Sequence, residues 1–213
     1  MSLILGTNSG FVTEAPTSDP LADAERIDDK LRIIKDSTPA EVVRITEIGW
    51  WCDTATGEIN FEVGLYSHNS GDDAPDALIG VSRTNAKGTT AGWKTVSVDW
   101  EISPNTAYWI AIQVDDTTPN TYINYATIVG ERYGYSAYGT TTIPTTFVGT
   151  LNNGFYHALY ALVEGEAPPA TNMKINIGDV WKDVESMKIN IGDVWKDVAE
   201  VKQNIGDAWK VVY

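Results

Sequence analysis

The C-terminal part of the chain repeats one 14-residue unit three times, and this repeat constrains the fold more than any other feature. The copies run from Met173 to Ser186, from Met187 to Glu200 and from Val201 to Tyr213, and the first two agree at twelve of fourteen positions. Each copy carries Asn-Ile-Gly-Asp, one small apolar residue and then Trp-Lys. Tandem units that cannot bury an apolar face alone must stack on one another or on a partner.

The repeat predicts three 14-residue β-hairpins. Gly178-Asp179 places glycine in the first central position of a two-residue loop, as a type II′ turn requires. That turn pairs Ile177 with Val180 and Lys174 with Asp183. One face of each hairpin is then apolar, and opposite charges meet on the other face.

A short coiled coil is the alternative structure for the same residues. From Val180 to Val212, apolar residues follow an unbroken 4-3 spacing, the pattern of a coiled-coil seam. Against a helix stand Gly178, Gly192 and Gly206, because each glycine costs about 1 kcal/mol in a helix interior. Both structures leave an apolar face that seeks a partner, so both predict a homo-oligomer, with a trimer among its forms. The predicted assembly residues are Ile177, Val180, Trp181, Ile191, Val194, Trp195, Ile205 and Trp209.

The preceding region predicts an antiparallel β-sandwich of the jelly-roll type. Apolar and other residues alternate from Ile59 to Tyr66, which places one row in a core and the other row on an open face. The same alternation runs from Tyr108 to Val114, with Tyr108, Ile110 and Ile112 on one side. Seven or eight strand segments are predicted, among them Tyr122 to Ala126 and Phe155 to Val163. Turn residues separate them and no long helix interrupts the series, which indicates an all-β domain.

Four parts are predicted along the chain. Residues 1–38 form an extended N-terminal arm, 39–163 the β-sandwich domain, 164–172 a Pro-containing linker and 173–213 the assembly repeats. The arm could lie along a neighbouring subunit, and its segment 31–35 fits a strand as well as a short helix.

Charge and cysteine usage exclude several classes of function. The net charge is −14 and no basic stripe offsets it, so nucleic acid is not an expected partner. The single cysteine, Cys52, permits no internal disulfide and lies in an apolar run that predicts burial. No apolar run is long enough to cross a bilayer, and the one at the N-terminus is too short for a signal peptide. We therefore expect no membrane insertion, and an extracellular location would require delivery by other means, such as release within a virion.

Two resemblances point to virus particles. Four stretches resemble a sandwich domain of phage and environmental virion proteins and of bacterial surface proteins. They are Arg44–Trp50, Glu62–Ser67, Ala91–Trp93 and Ala107–Ala111. Gly178–Lys182 and its copies are similar to Gly-x-x-Trp-Lys repeats at the ends of phage tail and fibre proteins, which more often carry a second glycine at the aspartate position. The resemblance implies a structural or attachment role at a virion surface or outside cells, with other virion proteins as partners.

The sequence does not predict an enzyme. It has two histidines, His68 and His157, and lacks a nucleophile elbow, a phosphate loop, a zinc cluster and a dinucleotide fingerprint. No cofactor is expected, apart from a candidate Ca²⁺ site in the loop 68–76, which gathers several oxygen ligands. A solvated turn explains the same residues. The candidate metal ligands are Asp72, Asp73 and Asp76.

A second candidate site is the long connection from Gly130 to Thr150, which carries three tyrosines among small polar residues. Such rings can stack on sugars or fill a protein interface. The alternative is that this segment only covers the end of the sandwich. The predicted ligand-binding residues are Tyr133, Tyr135, Tyr138, Trp93 and Trp109.

Three functions compete on these grounds. The leading hypothesis is a non-enzymatic virion structural protein, namely a capsid decoration protein, head fibre or tail appendage that oligomerises and displays the sandwich. The second is a carbohydrate-binding adhesin module on a phage or bacterial surface, with a cell-surface glycan as ligand. The third is a subunit of an extracellular filament.

Overall fold

The computed structural model describes residues 2–54, 59–114, 121–137 and 139–165, and the backbone of six short strands between residues 174 and 211. The chain divides into two units, Met1–Glu164 and Gly165–Tyr213. In its described residues the first unit contains strands and no helix. Its strands are β1 (Gly10–Val12), β2 (Asp23–Arg26), β3 (Leu31–Ser37), β4 (Val42–Thr54), β5 (Asn60–Asn69), β6 (Ala74–Ala86), β7 (Gly92–Glu101), β8 (Ala107–Val114), β9 (Tyr122–Tyr135), β10 (Thr150–His157) and β11 (Leu159–Gly165).

The strands pair in a largely antiparallel arrangement with the order β1-β11-β4-β9-β3-β8-β5-β6. Strand β7 pairs with β4, and both β2 and β10 pair with β9. The first residues of β9 pair with β4 and its last residues pair with β3, so this one long strand belongs to two layers. One layer contains β1, β11, β4 and β7, and the other contains β3, β8, β5 and β6. Of the five connections between consecutive strands from β3 to β8, four cross from one layer to the other. These crossings are those of a jelly-roll sandwich, and the predicted all-β fold class is confirmed.

The core lies between the two layers, and the alternation along β8 shows how the sequence builds it. Tyr108, Ile110 and Ile112 pack into the main cluster together with residues of β4, β5 and β11. The alternate residues Trp109 and Ala111 point to the other face and enter a separate small cluster. The period-two alternation and the β-branched residues in the sequence therefore assign the side chains of β8 to the correct faces of the strand.

The outer face of the β3-β8-β5 layer is covered, where the sequence pattern predicts an open face. The cover is the outer segment, residues 139–149, whose Ile143 is 1% exposed and packs on the small cluster. The backbone N–H of Ile143 donates to the Glu62 carboxylate at 2.7 Å, and the Tyr66 hydroxyl donates to the Pro144 carbonyl at 2.6 Å. The alternating row of β5 that includes Glu62 and Tyr66 therefore faces protein rather than solvent.

Residues of the predicted N-terminal arm belong to the sandwich. Leu31–Ser37 is strand β3, which pairs with β8 on one side and with β9 on the other. Strand β1 pairs in parallel with β11, and Phe11 and Ile34 are buried in the main core. The apolar residues of segment 31–35 fit a strand and a short helix equally well, and pairing with β8 and β9 selects the strand. Strands β1 to β3 are therefore not available as a free arm for a neighbouring subunit.

In its described residues the second unit contains three two-stranded antiparallel hairpins. Their strands are β12 (Lys174–Ile177), β13 (Val180–Asp183), β14 (Lys188–Ile191), β15 (Val194–Asp197), β16 (Lys202–Ile205) and β17 (Ala208–Val211). In the first hairpin Ile177 pairs with Val180 and Lys174 with Asp183, as the strand interpretation of the repeat predicts. The other two hairpins have the equivalent register.

Candidate functional site

The strongest concentration of polar side chains is the Glu25 cluster, which we define as Glu25, Arg32 and His157. The Nε and Nη2 atoms of Arg32 donate to the two carboxylate oxygens of Glu25, each at 2.9 Å. The Nε2 atom of His157 lies 2.5 Å from Oε1 of the same carboxylate. The three residues come from β2, β3 and β10, and all three strands pair with β9. Strand β9 is therefore the element that assembles the cluster.

Burial and charge fix the protonation states in this cluster. Burial alone would raise the pKa of Glu25. The hydrogen bond from His157, the charge of His157 when its imidazole is protonated, and the charge and hydrogen bonds of Arg32 together outweigh burial and hold that pKa well below its usual range. Burial lowers the pKa of His157, and Arg32 lowers it further against the opposing effect of Glu25. At pH 7 Glu25 is therefore ionised and His157 is neutral. In the tautomer that this geometry favours, Nε2–H of His157 donates to Glu25 and Nδ1 is an acceptor.

Two polar atoms of the cluster are buried without a hydrogen-bond partner among the described residues. They are Nη1 of Arg32, a donor, and Nδ1 of His157, an acceptor in the neutral tautomer. The Arg32 side chain is 4% exposed and the His157 side chain is fully buried, whereas Glu25 is 31% exposed. Most buried polar groups in folded proteins are paired, so two unpaired atoms around one carboxylate require an explanation.

Four aromatic rings form a continuous row beside the Glu25 cluster. The ring centroids of Tyr125 and Phe155 are 5.1 Å apart, those of Phe155 and Tyr133 are 5.1 Å apart, and those of Tyr133 and Tyr135 are 6.2 Å apart. The guanidinium of Arg32 lies over the Tyr135 ring at 5.4 Å from its centroid. Tyr133 is buried, and the other three residues are partly exposed. We call these four residues the aromatic row.

The predicted tyrosine loop is therefore partly a strand. Gly130–Tyr135 belongs to β9, which continues through a bulge in which residues 128–131 lie opposite the single residue Gly154. Gly130 and Gly154 both have positive φ, 94° and 107°, which a glycine adopts without strain. The structure brings the predicted residues Tyr133 and Tyr135 together, while Tyr138 lies outside the described residues.

The two predicted tryptophans lie elsewhere. Trp109 is fully buried beneath the outer segment, and its Nε1–H donates to Nδ1 of His68 at 3.2 Å, so its ring forms no exposed binding surface. Trp93 is partly buried on β7, where its ring contacts Trp51 and Tyr160. No ring contact among the described residues joins Trp93 or Trp109 to the aromatic row.

Two of the three aspartates predicted as Ca²⁺ ligands are engaged in protein contacts. The Asp73 carboxylate accepts hydrogen bonds from Lys35 at 2.5 Å and from Arg132 at 2.7 Å. These two bonds and the positive charges of their donors, against a smaller opposing effect of burial, lower the pKa of Asp73. Asp72 accepts a hydrogen bond from Asn69 at 3.0 Å. Asp76 is exposed, and no group of three or more His, Cys, Asp or Glu that could hold a metal occurs in the described residues. Calcium binding stays a prediction, and at Asp73 it would have to displace Lys35 and Arg132.

Two further predictions from the sequence concern the burial of Cys52 and the assembly residues of the repeat. Cys52 is buried, as the sequence predicts, and burial raises the pKa of its thiol to about 11, so the reactive thiolate is disfavoured. All eight predicted assembly residues lie in strands β12 to β17. Their role in contacts between subunits stays a prediction.

The sequence does not predict the Glu25 cluster, and it predicts two of the four residues of the aromatic row. The sequence predicts no more for His157 than a position in a strand, and it places Glu25 in the predicted N-terminal arm. The pair is separated by 132 positions, so no local spacing reveals their contact. The sequence predicts that Tyr125 and Phe155 lie in strands and gives them no ligand-binding role. The high density of aromatic residues in this half of the chain is the one signal that points to the row.

Comparison with protein families and with curated protein sequences suggests no function for this chain. No protein-family model matches the chain, and no curated protein sequence is significantly similar to it. The described residues contain no helix that is long and apolar enough to cross a membrane.

Proposed function

We propose that this protein is a non-enzymatic structural protein of a virion surface, which oligomerises through its repeats and displays the β-sandwich. The observation that carries the proposal is the set of three hairpins with one common register. A two-stranded hairpin is at best marginally stable in water, so a short hairpin gains much by packing on other copies. Closed homo-oligomers are the commonest result of such self-association. The likeness of the repeat to those of phage tail and fibre proteins supports the location.

The absolute mass in solution, measured by light scattering, tests this proposal. We expect the full chain to form a defined oligomer and a chain ending at Ala170 to be monomeric. In the full chain, the triple substitution Ile177→Asp, Ile191→Asp and Ile205→Asp should also lower the mass, because it places charges on the predicted apolar face of every hairpin.

A matched control comes from the first unit. Ile79 is 46% exposed on β6, so Ile79→Asp adds the same charge to an apolar position outside the repeats. This variant should keep the mass of the wild type. A monomeric full chain, or an oligomer that survives removal of the repeats, would contradict the assembly role.

A further inference from the structure

The Glu25 cluster and the aromatic row together have the chemistry of a ligand site, and the assembly function does not use them. Tyr125, Tyr135 and Phe155 are partly exposed, and the Glu25 carboxylate is also partly exposed. Binding sites for small molecules combine aromatic surfaces with a few fixed polar groups that set orientation. The bidentate Arg32 and the buried His157 hold the carboxylate in one position.

The unpaired atoms define what kind of polar group would complete this site. Nη1 of Arg32 needs an acceptor, and Nδ1 of His157 needs a donor. Leaving a buried polar atom unpaired costs free energy, so a ligand that satisfied both atoms would recover part of that cost. A hydroxyl group is both donor and acceptor, and a polyhydroxylated ligand offers several within one ring.

Charge separates the ligand classes that could use the aromatic row. Glu25 and Arg32 form an ion pair, so the cluster presents neither a free carboxylate for an ammonium group nor a free guanidinium for a phosphate. The exposed Asp23 next to it and the net charge of −14 further disfavour anionic ligands. An uncharged ligand fits best.

We propose that the aromatic row, with Arg32 and His157, binds the pyranose rings of a neutral carbohydrate. The C–H face of a sugar ring packs on the partly exposed rings, while its hydroxyl groups pair with the unpaired nitrogen atoms. An open groove lined by Leu21, Ala22, Asp23, Tyr125 and Thr127 continues from the end of the row, which gives space for more than one sugar unit. Because Arg32 and His157 are buried, the partly exposed rings must shift before a hydroxyl reaches them. This inference goes beyond the assembly function and does not depend on it.

Saturation-transfer NMR with the full chain tests the proposal, with maltotriose, cellotriose and chitotriose as probes at millimolar concentration. We expect transfer to at least one trisaccharide. Tyr135→Ala should weaken its binding at least tenfold, because the substitution removes the terminal ring of the row. Tyr135→Phe keeps the ring and should bind within about threefold of wild type, an effect of less than 1 kcal/mol.

Phe147→Ala is the matched control, since Phe147 is a partly exposed aromatic residue that packs against the small cluster under the outer segment. It should bind the trisaccharide as the wild type does. Thermal melting and light scattering on every variant separate loss of the site from loss of the fold or of the oligomer. The proposal is overturned if no trisaccharide binds, if binding survives Tyr135→Ala in a folded protein, or if only the charged probes choline and inorganic phosphate bind at this row.

Discussion

A single carboxylate fixes the first strand of the sandwich. Oδ2 of Asp36 accepts a hydrogen bond from the backbone N–H of Phe11 at 2.8 Å, and Oδ1 accepts one from Ser37 at 2.7 Å. Gly10 precedes this contact with φ of 72°, and a Cβ atom at this position would collide with the Asp36 carboxylate. Burial raises the pKa of Asp36 to about 6, with Glu131 adding to the shift and the two backbone N–H groups opposing it.

The raised pKa makes Asp36 a source of pH-dependent stability. Because the folded-state pKa of about 6 exceeds the ordinary value of 3.8, protonation favours the folded state. The contribution of this group is complete below about pH 4 and is lost as the pH rises through 6. We predict that Asp36→Asn raises the free energy of unfolding at pH 7.5 by about 1–3 kcal/mol and changes it little at pH 4. The asparagine oxygen can still accept from Phe11, and thermal melts between pH 4 and 8 measure the effect.

The control for this prediction is Asp99→Asn. The Asp99 side chain is 74% exposed and lies 3.1 Å from Arg44, so its removal should change stability by less than about 1 kcal/mol at either pH. If the melting temperatures of wild type and Asp36→Asn differ by the same amount at every pH from 4 to 8, Asp36 is not the source of the pH-dependent stability.

At the level of elements, the outer segment acts as a third layer over part of the sandwich. It holds its position through the contacts of Ile143 and through the Glu62 carboxylate, which accepts hydrogen bonds from Ile143 and from Arg83. Arg83 also donates to the Ile143 carbonyl at 2.9 Å. The segment has no strand of its own. An isolated antiparallel bridge pairs Thr146 with Ala77, and the contacts of Ile143, Glu62 and Arg83 add to this short backbone pairing.

We predict that Ile143→Ala destabilises the protein by about 2–4 kcal/mol, because it leaves a cavity between the outer segment and Trp109. The matched substitution Val148→Ala, at a position that is 75% exposed in the same part of the chain, should cost less than about 0.5 kcal/mol. Urea denaturation measures both values. Equal effects of the two substitutions would mean that Ile143 does not anchor the segment.

The sequence predicts strands better than it predicts their ends. Alternation locates β5 and β8 and assigns their faces, because one row of each strand is strongly apolar. It misses the extension of β9 beyond Ala126, since the bulge at Gly130 interrupts the pattern. It also predicts one strand from Phe155 to Val163, where the structure has a break at Ala158. At that residue the backbone N–H donates to Asn124 and the carbonyl accepts from Trp51, so the chain leaves one pairing and joins another.

For the whole molecule, the sequence gives the fold class and the register of the repeats but not the membership of the N-terminal residues. Strand β3 is central in the structure, and only contacts with residues far along the chain place it there. The same limit applies to the Glu25 cluster, whose members become neighbours through β9. Local patterns predict elements, whereas the site depends on pairings between distant segments.

Net charge sets the conditions for association of whole chains. Each copy carries −14, so copies repel one another over a Debye length of about 10 Å at 0.1 M salt. We predict that raising NaCl from about 20 to about 300 mM lowers the dissociation constant of the proposed oligomer about three- to tenfold at pH 7.5. Sedimentation equilibrium measures this change. Near pH 5, closer to the isoelectric point of about 4.4, the same change in salt should have a smaller effect, and an equal effect at both pH values would exclude charge repulsion as its cause.

The parallel pairing of β1 with β11 determines when the sandwich can be completed. Gly10 lies beside Tyr160, so the strand of this unit that is synthesised first pairs with the strand that is synthesised last. Strand β1 therefore remains without its strand partner until almost the whole sandwich has been synthesised. The closing step joins residues about 150 positions apart, and such long-range contacts make folding slow. Completion of the sandwich thus depends on the end of translation of this unit, and the repeats follow only after its last strand has been made.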